Sequence, residues 1–208
     1  MMIANIRPEI LSHLCKDKKL AVLIENCEVV IQKGPIKVFD DLIRSIVSQQ
    51  LSTSAAATIY SRFINSIDDK SSVSEQILSK NTDELRAFGL SYQKASYIQN
   101  VARHFEENSL HETDWHTWSD ENIIQELTKI KGVGRWTVEM ILMFSLYRED
   151  VLPLDDLIIR NNIISLYDVR SEKKQLKADL QDIAEPWRPY RTYACRYLWA
   201  AKDSKYLK

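Results

Sequence analysis

Apolar residues recur at helical spacing along almost the whole chain. In "VFDDLIRSIVSQQ", Phe39, Leu42, Ile43, Ile46 and Val47 share one face, the stripe of a helix whose other side meets water. "STSAAATIYSRFIN" follows, with Ser52 placed to cap it. Ser72 with Glu75, and Asn81 with Glu84, have the spacing of capping boxes, in which each residue bonds the other's backbone N–H. Ser91 opens "SYQKASYIQNVARHFEEN", and Ser119 opens "DENIIQELTKI" with Asp120 and Glu121 where the helix dipole favours acids. "DDLIIRNNIISLY", "SEKKQLKADLQDIA" and "RPYRTYACRYLWAAK" continue the pattern near the C-terminus. No stretch sustains period-two alternation between hairpin turns, so an all-α fold of about ten helices is expected. "HETDWHTWSDE" reads as a surface connection.

Composition narrows the picture. The 208 residues, 45% hydrophobic, suffice for one large domain or two small ones. No run approaches the roughly 18 apolar residues of a membrane span. The N-terminus lacks an apolar core with a small-residue cleavage site, so no signal peptide is expected. Cys15, Cys27 and Cys195 are odd in number and far apart, which excludes a disulfide framework or a four-cysteine metal site and suits a reduced, intracellular protein. With a formal net charge of −1, any binding to nucleic acid must be local.

Local chemistry concentrates in "LTKIKGVGRWTVEMILMFSL", which holds two of the chain's four glycines. It reads as helix, tight turn, helix. Gly132 supplies backbone freedom in the turn. Gly134 leaves no side chain in front of the amides that open the second helix, and such amides bind anions. Lys129, Lys131 and Arg135 surround them with positive charge, and a DNA phosphate is the natural ligand. A glycine-capped helical turn is the plainer alternative. Gly89 and Ser91 echo the pattern but read as helix punctuation. His104, His111 and His116 lack metal-ligand spacing.

The pattern L-x-x-x-x-G-V-G-x-x-T resembles the helix-hairpin-helix of DNA-repair glycosylases. "VLPLDD" follows with Pro153 and then Asp155, where that superfamily carries a Pro and a catalytic Asp. "IRSIVSQQLSTSAAA", "GLSYQKASYIQNVA" and "PWRPYRTYACRYLW" extend the likeness, in the same order, over residues 35–200. Together they look like the DNA-3-methyladenine glycosylase II, or alkylbase DNA glycosylase, branch.

The resemblance implies two helical subdomains, residues 31–149 and residues 1–30 with 150–208, and an active site in the cleft between them. It makes Asp155 the catalytic carboxylate and leaves Asp156 a structural role, with Arg191 as a guessed partner. Read from the residues alone, either aspartate caps the helix that follows. Gln50, with Leu51 beside it, matches the loop that fills the gap left by a flipped base; alternatively the glutamines only join two helices. Trp136, Met140 and Trp199 would line the base pocket, where core packing is the competing use. Lys131, Gly132, Val133, Gly134, Arg135 and Thr137 would hold phosphate. The backbone of Thr128, Ile130 and Val133 would offer carbonyls to a monovalent cation. Trp136 stands where glycosylase-lyases carry the Schiff-base lysine, so hydrolysis alone is implied. No iron–sulfur cluster and no divalent metal are expected. The implied partner is double-stranded DNA with alkylated bases, not a membrane, met as a monomer in the cytoplasm and nucleoid, or in the nucleus of a eukaryote. A non-catalytic helix-hairpin-helix module and a bifunctional glycosylase-lyase are the alternatives.

Overall fold

Helices begin where the cap residues place them. The structure, a computed structural model, describes residues 2–4, 6–68 and 71–202, the first three by their backbone only. The chain divides into two units, residues 36–141 and residues 1–35 with 142–208.

In the second unit the chain opens with β1 (Met2–Ala4), α1 (Pro8–Leu14), α2 (Lys18–Asn26) and β2 (Ile31–Lys33). The interior unit holds α3 (Val38–Ser48), α4 (Thr53–Ile64), α5 (Val73–Ser79), α6 (Thr82–Arg86), α7 (Tyr92–Glu107) and α8 (Asp120–Leu127). Helix α9 (Arg135–Phe144) carries the division between residues 141 and 142. Then come α10 (Leu157–Tyr167), α11 (Lys173–Ala184) and α12 (Arg191–Ala200).

Each expected cap is made. The Ser52 hydroxyl accepts from Ala55 N at 3.3 Å, that of Ser91 from Lys94 N at 3.2 Å, and that of Ser119 from Asn122 N at 3.2 Å. Ser72–Glu75 and Asn81–Glu84 both close as capping boxes. In the interior unit α3 buries the whole predicted stripe from Phe39 to Val47 and packs against α7, where the Phe39 and Phe105 rings meet edge to face with centroids 5.2 Å apart. Full burial of each such side chain is worth about 1.5–3 kcal/mol.

Three expectations change. Strands β1 and β2 pair antiparallel, Met2 opposite Lys33 and Ala4 opposite Ile31, where the sequence pattern predicts no strand. Three residues are too few to show an alternating pattern. The "HETDWHTWSDE" connection is not purely surface: it forms two 3₁₀ turns, Leu110–Glu112 and Trp115–Thr117, and buries Leu110 and Trp115. Residues 31–35 and 142–149, grouped from sequence with the interior span, make their contacts in the other unit. Ile31 pairs with Ala4, and Glu149 takes Arg7 Nη2 at 2.8 Å.

That outer unit is built around Trp187, Ile10, Leu14, Leu20, Leu23, Ile159, Ile163 and Leu198. Asp17 ties it together. Its Oδ1 caps α2 by accepting from Lys19 N at 3.0 Å and Leu20 N at 3.1 Å. Its Oδ2 accepts the Tyr167 hydroxyl at 2.5 Å and Trp187 Nε1 at 3.0 Å. Burial pushes the carboxyl up, but the bonds from Trp187, Tyr167, Leu20 and Lys19 outweigh it and hold Asp17 below the ordinary carboxylate value. Stability from this site is therefore complete above the unfolded value of about 3.9 and is lost as pH falls through the lower folded one. Asp17→Asn should cost about 2–3 kcal/mol at pH 7. In urea titrations the gap to wild type should narrow as pH drops below the unfolded value; a gap that widens would remove the ionised carboxylate from the explanation.

Candidate functional site

The hairpin joins α8 to α9. Ile130 N donates to Leu127 O at 3.2 Å and Val133 N to Ile130 O at 3.0 Å, which closes the turn. Ile130 and Val133 are buried and anchor it to the core. Gly132 has φ +108°, and a Cβ there would stand 2.2 Å from Cγ of Tyr97. Tyr97, on α7, thus lies flat against the turn, and Asn100 one turn on donates to Lys131 O at 3.2 Å. A Cβ on Gly134 would meet nothing within 4 Å. The first glycine shapes the turn; the second leaves open space before the helix. Helix α9 makes its first backbone bond from Val138 N to Gly134 O, at 3.2 Å, and the preceding amides of a first helical turn have no intrahelical acceptor.

The charge around the hairpin is smaller than expected. Lys129 pairs with Glu126 at 2.6 Å, and Arg135 with Glu139 at 3.1 Å and Glu121 at 3.5 Å. Lys131 remains exposed at the turn. Thr137, counted from sequence with the phosphate-binding residues, is buried, so its side chain faces inward. The Val133 N–H is already spent within the turn. Of the carbonyls offered to a monovalent cation, Ile130 O accepts Val133 N–H and keeps one lone pair free.

Between α3 and α4 the backbone turns sharply. Gln50 has φ +57°, and Leu51 N donates to Ser48 O at 3.1 Å. Lys94 holds the base of this loop, donating Nζ to Val47 O at 2.8 Å and to Gln49 O at 2.6 Å. Burial pushes the Lys94 ammonium below the usual lysine value. The tip, Gln50 and Leu51, is exposed, and Ser52 rather than a glutamine caps α4.

In the outer unit, "VLPLDD" runs from Val151 into α10. Asp156 N donates to Pro153 O at 2.9 Å and Leu154 N to Leu152 O at 3.1 Å. The two aspartates divide the work. Asp156 is buried; its Oδ1 caps α10 through Ile159 N at 2.9 Å and accepts Trp199 Nε1 at 3.1 Å. Asp155 is exposed. The pairing guessed between Asp156 and Arg191 is corrected, because Arg191 grips Asp150, with Nε to Oδ1 at 2.6 Å. Trp199, half-buried, stacks on Phe144 with ring centroids 5.5 Å apart. Phe144 lies one turn beyond Met140 and two beyond Trp136 on α9, whose exposure is 39% at Trp136 and 42% at Phe144. Both rings thus keep part of their surface open to solvent.

A helical hairpin with this glycine geometry, followed by Pro and an exposed Asp, matches a known family. The model of the HhH-GPD superfamily of base excision DNA repair proteins fits residues 43–189. The chain belongs to this superfamily. The HhH-GPD relatives include DNA-3-methyladenine glycosylase 1 of Schizosaccharomyces pombe, 36% identical over 190 residues, which cover 90% of this chain and 82% of the relative. Among solved structures, a DNA-3-methyladenine glycosidase from Bacillus halodurans superposes with TM-score 0.79 at 35% identity, covering 98% of this chain and 94% of that one. A 3-methyladenine DNA glycosylase from S. pombe, solved in complex with abasic DNA, superposes with TM-score 0.73 at 34% identity, covering 92% and 95%.

The HhH-GPD match brings in the loop tip, the hairpin, Asp155 and α9, but not Trp199, which lies beyond residue 189. Sequence reasoning missed the supports: Lys94 under the Gln50 loop, Tyr97 and Asn100 behind the hairpin, and Phe144 against Trp199. Phe144 had a signal, its spacing of four from Met140 and eight from Trp136. The others act on residues distant in the chain. A separate pocket of about 420 Å³ in the interior unit, walled by Val38, Phe39, Phe105, His111 and Trp115, contains none of the expected site residues.

Proposed function

We propose that the chain is a monofunctional DNA glycosylase that flips alkylated purines, of the 3-methyladenine and 7-methylguanine type, out of duplex DNA and hydrolyses their bond to deoxyribose, starting base excision repair. The observation that carries this reading is the exposed carboxylate of Asp155, two residues after Pro153, beside a neighbour that takes the capping duty. The relatives' names point to the same substrate class, and abasic DNA, found with one of them, is what such a cut leaves behind.

The chemistry follows from the single acid. As the base departs with the bonding electrons, positive charge develops on the sugar. A fixed carboxylate next to C1′ stabilises that charge, orients a water and accepts its proton as the new C1′–O bond forms. Trp136 occupies the place of a Schiff-base lysine, so elimination and strand cleavage are not supported. Gln50 with Leu51 fills the vacated stack, and the amides at Gly134, with Lys131, hold the backbone phosphate. The reaction as assigned uses no iron–sulfur cluster and no divalent metal. The carbonyls of Thr128, Ile130 and Val133 suit a monovalent cation that would brace the hairpin. The enzyme works as a monomer, in whichever compartment holds DNA; no described helix is long and apolar enough to cross a membrane.

Trp136 and Trp199 give the flipped base electron-rich faces. Cation–π attraction of ~0.5–2 kcal/mol corresponds to about 2- to 30-fold selectivity for cationic bases. On duplexes with one lesion, Trp136→Ala or Trp199→Ala should reduce excision of 7-methylguanine more than of hypoxanthine. Products should be abasic with intact strands, and borohydride should trap no adduct. Equal losses on both bases would reduce the rings to pocket shape, and a trapped adduct would overturn the monofunctional assignment.

A further inference from the structure

The segment Arg148–Val151, which leads into Pro153 and Asp155, is held residue by residue on the first turn of α12. Thr192 makes three of the bonds. Its Oγ1 donates to Arg148 O at 2.7 Å and accepts from Val151 N at 3.0 Å, and its own N–H donates to Glu149 O at 2.9 Å. Arg191 adds the fourth residue: Nε reaches Asp150 Oδ1 at 2.6 Å, and Nη2 reaches Oδ2 at 3.0 Å and the Asp150 carbonyl at 2.9 Å. Thr192 is buried, so water cannot replace its bonds.

The other end of the same stretch is tied to the same helix, through Trp199 Nε1 and Asp156 Oδ1 at 3.1 Å. Thr192 and Trp199 are two turns apart on one face of α12, about 10 Å along its axis. Asp155 is thus carried on a short bridge whose two piers are a single rigid helix. Its side chain is exposed, so the placement of the carboxylate comes from the backbone beneath it.

We infer that Thr192 is a positioning residue for Asp155. By fixing Arg148, Glu149 and Val151 at once, it sets where the carboxylate stands relative to C1′, and Asp150 with Arg191 supports it. The inference rests on the assignment of Asp155 above. An error of about 1 Å in a reacting group can cost up to 100-fold in rate, so loss of this anchor should appear in the chemical step and not in DNA affinity.

The test uses single-turnover excision of 7-methylguanine, with affinity for an abasic-site duplex measured in parallel. Thr192→Val keeps the shape and removes the hydroxyl; excision should slow by about 10- to 100-fold while affinity is unchanged. Thr192→Ser returns the hydroxyl and should restore most of the rate. If the valine variant does not fold, Asp150→Asn takes its place, with a smaller loss of rate at unchanged affinity. A normal excision rate in folded Thr192→Val, or an equal loss of affinity and rate, overturns the proposal. So does a serine variant as slow as the valine one. Asp155→Asn, assayed alongside, separates the two levels: if it stays active, the assignment of Asp155 fails, whereas if it is inactive while Thr192→Val is normal, only the positioning role fails.

Discussion

Asp155→Asn should lower base excision by about 100- to 1000-fold, the usual cost of removing a preorganised electrostatic contact to the transition state. The substitution keeps the volume and deletes the charge. Affinity for DNA should hold or rise slightly, because a carboxylate close to phosphates opposes binding in the ground state. Asp156→Asn should behave in the opposite way. That carboxylate caps α10 through Ile159 N and receives Trp199 Nε1, both on Oδ1; asparagine keeps the oxygen but not the charge, so the bonds weaken, which should lower stability by about 1 kcal/mol and affect the rate less. Excision kinetics and thermal unfolding of both variants check this. An active Asp155→Asn beside an inactive Asp156→Asn would move the catalytic assignment by one residue.

The second large effect separates the two hairpin glycines. Gly132→Ala forces a side chain to φ +108° and drives its Cβ to 2.2 Å from the Tyr97 ring. Together these should cost about 2–5 kcal/mol of stability. Gly134→Ala meets nothing within 4 Å and should leave the fold intact. Gly134→Asp, equally harmless to the fold, would put a carboxylate where phosphate is expected. A charge-assisted hydrogen bond is worth ~1.5–3 kcal/mol, so DNA affinity should fall about tenfold or more. The loss should be the same for unrelated sequences, since backbone contacts position without reading bases. Calorimetry and binding titrations of the three variants decide it; unchanged affinity of Gly134→Asp on several sequences would remove the phosphate role.

How much of this was legible in the sequence depends on how far apart the cooperating residues lie. Caps were readable because a serine or asparagine acts on an amide three residues on, as Ser72 does with Glu75. The turn glycine was readable for the same reason, whereas the choice of Asp155 over Asp156 rested on the family resemblance, since from the residues alone either aspartate could cap α10. The reduced charge at the hairpin was also written there, since Glu126 and Glu139 stand at helical spacing from Lys129 and Arg135. Pairings across the chain left no such mark. Nothing near Asp150 announces Arg191, forty-one residues later, and nothing in "SYQKAS" announces that Lys94 holds the Gln50 loop. Trp115 sits among polar residues in 3₁₀ turns too short to show a period, so its burial was hidden as well.

Release of bases from DNA is the most direct measurement. The purified protein would be incubated with alkylated genomic DNA, the freed bases identified by mass spectrometry, and the strands sized under conditions that spare abasic sites. The expected result is 3-methyladenine and 7-methylguanine above the enzyme-free control, with strands intact and with release lost in Asp155→Asn. Tight binding to the same DNA with no base released above that control would contradict it, and would mark the chain as a DNA-binding module without catalysis.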